Sequence, residues 1–338
     1  MEGQRVSGGG GGEGVGGGAP RQEPQEPRAN GDGDRGIAVG APRRREVRVL
    51  EDAVELTRVA AAEVVGALAL HRDAWLPGAA ADGATSGTTS RAASGTTSSA
   101  TSAAAAAPFP SIALAGGSTP RSLYRLLADP AAPLRARIDW QAVHFFWGDE
   151  RHVPPDHPDS NFRMAREAML DHVQVPAAHV HRIAGEEPDA ARAARLYERE
   201  LIEVFGLRRE AAGGGEGAAG GESAAGNAAR EWPRFDLVLL GLGEEGHTAS
   251  LFPGSPALQE AQALVAAVHD APKPPPERLT LTLPVINAAR AVLFMVQGAS
   301  KREALERVRR RDPAVPASHV RPVDGELRFI VDRTATGE

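Results

Sequence analysis

Four polar clusters hold the residues best equipped for chemistry. They are Gly116-Gly117-Ser118-Thr119-Pro120, Gly148-Asp149-Glu150-Arg151-His152, Gly243-Glu244-Glu245-Gly246-His247-Thr248 and Gly298-Ala299-Ser300-Lys301. In the third cluster, His247 can take a proton near neutral pH and return it. Glu245, two residues away, is placed to orient the ring. Glycines around Glu244-Glu245 point to a tight turn whose amides suit the oxyanion of an attacked ester. In the first cluster, Gly116 and Gly117 let the backbone come close to a ligand. A helix behind them offers free amides to a phosphate. Ser118 and Thr119 either add hydroxyl donors or cap that helix, with Pro120 in its first turn. Lys301 opens another helix, where the dipole disfavours a cation, so the position makes sense if an anion such as phosphate is met there. Asp149, Glu150 and Arg151 suit sugar binding or proton transfer, or else form a surface ion-pair cluster of little value to stability. Asn161 and Arg163 read as capping and solvating a helix start rather than touching a ligand.

Other chemistries lack their signatures. There is no Gly-x-Ser-x-Gly elbow, no Walker loop and no His-Glu-x-x-His zinc motif. His144, His152 and His157 do not follow a metal-ligand spacing and read as structural or solvated. One rival is real: Gly241-Leu242-Gly243-Glu244-Glu245-Gly246 after a strand, with Asp270 further on, mimics a dinucleotide fingerprint. That fingerprint needs a long helix behind the glycines, and Pro253-Gly254-Ser255-Pro256 interrupts one.

Positioning these clusters requires strands that end where the clusters begin. Apolar runs predict strands over residues 47–50, 111–115, 143–147, 235–240, 264–269, 279–283, 292–296 and 328–331. Helices are expected from a cap at Asp52 to about Ala74, through Leu123, Leu126 and Leu127, over 160–172 and 188–206, and on to about Arg309. In the first helix, Val54, Val59, Val64 and Leu68 mark the apolar side. Strands alternating with helices define an α/β fold with a mainly parallel sheet covered on both faces. Ligands bind outside the carboxyl ends of such strands. If the strands before the four clusters are parallel, all four converge on one edge.

The chain has 338 residues, a net charge of -6 and no cysteine. Disulfides, thiolate metal sites and a cysteine nucleophile are therefore excluded. The mild negative charge argues against a nucleic-acid binder, and no apolar run is long enough to span a bilayer. Met1-Glu2-Gly3-Gln4-Arg5 has no apolar run behind it, so a cleaved secretory signal is not expected. Residues 1–45 are expected to be a disordered low-complexity tail, with Arg43-Arg44-Arg45 solvated. A single α/β domain over 46–334 follows, with flexible insertions at 77–108 and 211–230.

Taken together, the motifs resemble the 6-phosphogluconolactonases. They run in order from Leu114-Ala115-Gly116-Gly117-Ser118-Thr119-Pro120 through His144-Phe145-Phe146-Trp147-Gly148-Asp149-Glu150-Arg151-His152-Val153-Pro154 and Ser160-Asn161-Phe162-Arg163. They continue with Gly241 to Gly254, then Pro275-Pro276-Glu277-Arg278-Leu279-Thr280-Leu281-Thr282 and Gly298-Ala299-Ser300-Lys301. The resemblance covers about residues 47–332. It implies a three-layer αβα sandwich with a Rossmann-like sheet, shared with glucosamine-6-phosphate deaminases. It also implies cytoplasmic hydrolysis of 6-phospho-D-glucono-1,5-lactone to 6-phospho-D-gluconate, the second step of the oxidative pentose phosphate pathway, with no metal or cofactor. His247 then stands at the catalytic position, with Asp149 and Arg151 as an acidic-basic pair and Glu245 beside the histidine. Gly116, Gly117, Ser118, Thr119, Gly243 and Lys301 fall at substrate positions, chiefly around the phosphate, and Arg278 is a further site arginine. Glu245 departs from the aspartate usual in the family. The expected partner is a small sugar-phosphate lactone, with neither nucleic acid nor membrane, and a monomer is favoured. Two alternatives remain open at this point. One is a deaminase-like isomerase using Asp149. The other is a non-catalytic sugar-phosphate sensor, although such sensors usually carry a DNA-binding helix pair.

Overall fold

The computed structural model describes residues 42–75, 104–106, 108–208 and 231–338. In chain order the elements are β1 (Arg44–Leu50), α1 (Ala53–Trp75), β2 (Ala104–Ala106), β3 (Ser111–Leu114), α2 (Ser118–Ala128), β4 (His144–Trp147), β5 (Asp149–Arg151) and α3 (Asn161–Ala168). They continue as β6 (Val180–His181), α4 (Ala190–Phe205), β7 (Trp232–Arg234), β8 (Leu237–Gly241), β9 (Val265–Val268), β10 (Arg278–Leu281) and α5 (Leu283–Ala288). The last are β11 (Ala291–Val296), α6 (Arg302–Arg309), β12 (Glu326–Asp332) and α7 (Arg333–Thr336).

Seven strands form one sheet in the order β1-β12-β11-β8-β3-β4-β6, and every neighbouring pair is parallel. Every residue of β3 and β11 is buried, as a parallel sheet covered on both faces requires. The four strands that precede the polar clusters are consecutive here: β11, β8, β3, β4. From β3 the chain builds outward through β4 and β6, and from β8 it builds the other way through β11 and β12. The crevice between β3 and β8 is therefore a switch point, where ligands of open α/β sheets bind.

The only two tyrosines of the chain fix the strand ends that border the site. Tyr124 Oη donates to the Ala115 carbonyl at 2.8 Å and accepts from the Ala115 amide at 2.9 Å. Tyr197 does the same at Trp147, donating at 3.2 Å and accepting at 3.0 Å. Backbone groups that leave a ladder inside a protein need such partners. Burial pushes both phenols up in pKa, so they stay neutral donors.

Several expectations need correction. The first strand begins at Arg44, not at residue 47, so Arg44 and Arg45 belong to the sheet, while residues 1–41 lie outside the described residues. Arg45 is not simply solvated: its guanidinium donates to the Val308 carbonyl at 3.2 Å and sits 5.7 Å from the Phe329 ring centre. Asp52 does cap α1, accepting from the Val54 and Glu55 amides at 2.8 Å each. The apolar stripe of α1, however, runs through Leu56, Ala60, Val64 and Leu68, while Val54 is 60% exposed. The 77–108 insertion contains β2, which pairs with β7; its other residues up to 103, and all of 211–230, lie outside the described residues.

The largest surprise is a second, three-stranded antiparallel sheet, β5-β10-β9. Residues 264–269 and 279–283 read as ordinary strands of the parallel sheet. They hold no place in it, because β9 and β10 pair instead with β5, which grows directly out of the second polar cluster.

Candidate active site

The site is assembled from strand ends and from the small sheet. On β5, Asp149 and Glu150 point in opposite directions, as neighbours in a strand must. Asp149 is 7% exposed. Its carboxylate accepts from Ser250 Oγ at 2.7 Å and from Asn161 Nδ2 at 3.3 Å. Asn161 Nδ2 also reaches the Asp149 carbonyl at 2.9 Å. Gly116 packs against this amide: a Cβ there would lie 1.9 Å from Asn161 Oδ1. The glycine of the first cluster is thus needed for a close approach to Asn161, which in turn holds Asp149.

Glu150 is engaged by the backbone at the start of α3. Its carboxylate accepts from Ser160 Oγ and from the amides of Arg151, Asn161 and Phe162, all within 3.1 Å. It anchors the start of α3, while Ser160 caps it. Burial pushes the carboxyl up to about 7, opposed by the amide donors that favour its charge. The surface-cluster alternative for these residues fails, because both carboxylates are buried.

The loop after β8 carries His247. Its side chain is 20% exposed, and Nδ1 lies 3.0 Å from Glu245 Oε1, though without hydrogen-bond alignment. Gly243 lies under the ring: a Cβ there would meet Nδ1 at 1.9 Å. Phe252 packs against the imidazole at 4.6 Å between centroids. Burial lowers the His247 pKa, and Glu245 opposes the shift. The ring is therefore neutral near pH 7 and able to accept a proton. For Glu245, burial works upward, but its own amide, His247 and Lys273 together hold the carboxyl below its ordinary range. The Gly243 amide donates to the His247 carbonyl at 2.8 Å, and the Gly246 amide to the Gly243 carbonyl at 3.0 Å. Those two amides are spent inside the loop, which leaves the oxyanion role expected of the loop to its other amides.

Lys301 ends the short 3-10 turn Ala299–Lys301 and caps α6. Its ammonium lies 4.0 Å from Glu244 Oε1, tying the fourth cluster to the third. Burial lowers its pKa, with Glu244 opposing. Buried Asp332 holds the loop in place by accepting from the Gly298 amide at 3.0 Å. Thr119 Oγ1 donates to Gln297 Oε1 at 3.1 Å, which joins the first cluster to the end of β11. Ser118 is exposed, and neither it nor Thr119 caps α2; Gly117 takes that position with φ 109°. Lacking a Cβ, Gly117 adopts this φ without strain.

Arg278 stands opposite Arg151 in the β5-β10 register, so the two side chains share a face. Arg151 donates to the Asp159 carbonyl at 2.5 Å. Arg278, 5% exposed, donates to the Pro275 carbonyl at 2.6 Å and to those of Lys273 and Pro274 at 3.0 and 3.2 Å. It clamps the loop before β10. Burial lowers its pKa, and Arg151 adds to the effect. The nearby carboxylates of Asp149, Asp159 and Glu150 oppose that repulsion.

Asn161, Ser250 and Lys273 were not singled out from sequence as site residues. Asn161 looked like a surface cap yet is 2% exposed. Ser250 lay within the resembling stretch and gave no signal of its own. Lys273 lies in a proline-rich segment without periodicity, yet its ammonium is 3.5 Å from Glu245 Oε2. The dinucleotide alternative lacks its helix, since the glycine loop leads only to the 3-10 turn Pro256–Gln259. Asp270 follows β9 in the small sheet, away from the place the fingerprint requires. Among the described residues no cluster of three or more His, Cys, Asp or Glu is arranged to hold a metal, and no helix is long and apolar enough to cross a membrane. A groove of about 530 Å³ lined by Arg125, Asp129, Arg135, Glu167 and His172 lies by the far end of α2, away from this chemistry.

Fold and site together define an α/β protein with an imidazole beside a carboxylate, a lysine and a buried aspartate at the carboxyl edge of a parallel sheet. This is the class of enzymes that act on small phosphorylated sugars. The profile of the family described as glucosamine-6-phosphate isomerases/6-phosphogluconolactonase matches residues 84–329. A 6-phosphogluconolactonase of Synechocystis is 42% identical over 228 residues, covering 67% of this chain and 82% of its own. One of Nostoc is 41% identical over 231 residues, covering 68% and 84%. The solved 6-phosphogluconolactonase from Trypanosoma cruzi superposes with a TM-score of 0.63 at 28% identity, covering 88% of this chain and 98% of that one. The chain belongs to this family.

Proposed function

We infer that this protein hydrolyses 6-phospho-D-glucono-1,5-lactone to 6-phospho-D-gluconate, the second step of the oxidative pentose phosphate pathway. The observation that carries the reading is the His247 imidazole, 3.0 Å from the Glu245 carboxylate and set on the same sheet edge as the Lys301 ammonium. Lys301 and the turn at Ser118 and Thr119 hold the phosphate. Glu245 faces Nδ1, so Nε2 of His247 is the nitrogen turned to a water molecule. As the water oxygen bonds to the lactone carbonyl carbon, Nε2 takes its proton. The oxyanion is met by amides of the loop other than those of Gly243 and Gly246, such as that of Glu244. The bond to the ring oxygen then breaks, and His247 returns the proton to it, leaving a hydroxyl and a carboxylic acid. Asp149, fixed by Ser250 and Asn161, orients sugar hydroxyls. Nothing in this route calls for a metal or cofactor, and it fits a monomer in the cytoplasm.

The test is acid release from lactone generated in place, measured against the spontaneous rate with chelator present. Chelator-resistant acceleration that His247→Ala abolishes is the expected result. Folded protein that gives no acceleration would overturn the reading, and ammonia release from glucosamine 6-phosphate would replace it with the deaminase reaction.

A further inference from the structure

We propose that Lys273 is a positioning residue that holds Glu245 against the imidazole of His247. The inference rests on the hydrolytic reading of the site and extends it by one residue. Glu245 uses both carboxylate oxygens in different directions. Oε1 lies 3.0 Å from His247 Nδ1, and Oε2 lies 3.5 Å from Lys273 Nζ. The first contact lacks the alignment of a hydrogen bond, so the imidazole does not by itself lock the carboxylate in place. A glutamate side chain has several rotatable bonds and needs a second anchor to stay beside the ring. Lys273 supplies it from a fixed base. Its own carbonyl and those of Pro274 and Pro275 are gripped by the buried Arg278 guanidinium, and the Ala271 amide closes the loop onto the Pro276 carbonyl at 3.0 Å. The ammonium therefore reaches out from a clamped backbone, while its side chain remains 51% exposed. Its charge also opposes protonation of His247, which keeps the base in its working form. Neither effect requires Lys273 to touch the substrate.

The test uses the full chain with Lys273→Met, Lys273→Arg, Glu245→Gln and the double variant Lys273→Met/Glu245→Gln. His247 is followed by NMR titration without substrate, its signal assigned by its loss in His247→Ala. Lys273→Met is expected to raise the His247 titration midpoint by about half a pH unit. It should lower kcat by about 2–5-fold, the range of a partly exposed ion pair, with KM nearly unchanged. The acidic limb of the rate profile should move to higher pH by the same amount. Lys273→Arg should restore all three. In the Glu245→Gln background, Lys273→Met should cost almost nothing more in kcat, because the two act as a unit. An unmoved His247 titration would overturn the proposal. So would a rise in KM alone, which would make Lys273 a substrate contact, or an undiminished kcat loss in the Glu245→Gln background. If the unaltered protein fails to hydrolyse the lactone, the functional reading falls, while the NMR titration still decides the role of Lys273.

Discussion

A lone histidine and a histidine cluster sit at opposite edges of the same sheet, and burial lowers the pKa of a histidine in each. His247 stands where β8 ends. His144 opens β4 at the far edge, its ring stacked between Phe109 at 3.7 Å and His179 at 3.9 Å. His144 Nδ1 meets His181 Nε2 at 2.9 Å, and His181 Nδ1 meets Glu200 Oε1 at 2.8 Å. Burial pushes His144 down to about 4, helped by His179 and His181. At His247 a carboxylate opposes the same push. A depressed imidazole is therefore no mark of catalysis by itself. His144 is covered by rings on both faces and spends its Nδ1 on the protein. His247 keeps partial exposure, a nitrogen free of its carboxylate partner, and a place at the carboxyl edge.

The sharpest way to break this contrast is His247→Ala. Loss of a general base should lower turnover by about 10²–10⁴, measured as lactone hydrolysis, while the unfolding midpoint stays near that of the unaltered protein. His144→Phe, by contrast, should leave turnover almost unchanged. If the two variants lose activity equally, the edge of the sheet does not decide the role.

Lys301→Ala comes next. Losing a charged hydrogen bond to phosphate should weaken substrate binding by about 1.5–3 kcal/mol, read as a rise in KM with a smaller change in kcat. Unchanged KM would remove Lys301 from the phosphate site. Gly116→Ala forces a Cβ into Asn161 and should destabilise the fold by about 1–3 kcal/mol, with a fall in activity through Asp149. Urea unfolding together with hydrolysis measures both.

The smallest effect separates the two histidines by pH. Folded His144 refuses a proton that the unfolded chain accepts below its ordinary 6.5. Its contribution to stability is complete above that value and is lost as pH falls toward about 4. His144→Phe should flatten the drop in urea midpoint across this window. The activity of the unaltered protein should decline as pH falls through the lowered pKa of His247, a change His144→Phe should not shift.

Much of the fold was legible because strands and helices write their periods locally. Residues 292–296 are apolar throughout, and that run is β11; Asp189 and Gly206 bracket α4 as its caps. The clusters of the site were legible for a related reason, since each interrupts an apolar run with glycine and charge. The small sheet was not legible. Residues 264–269 and 279–283 have the composition of any buried strand, and pairing partners are not written in a strand's own pattern. Asn161 and Lys273 were missed on the same ground, for their meaning lies in what packs on them.

The sequence by itself determined that four chemistry-bearing clusters follow four strands, and that His247 has the residue type and neighbours of a base. Those facts rest on covalent order and on periodicities a few residues long. Only the tertiary structure decided that the four strands are consecutive neighbours, that Asp149 turns into the site while Glu150 anchors a helix, and that Lys273 reaches Glu245. Those contacts join residues far apart in sequence, and their energies depend on burial and distance, which exist only once the chain has closed on itself.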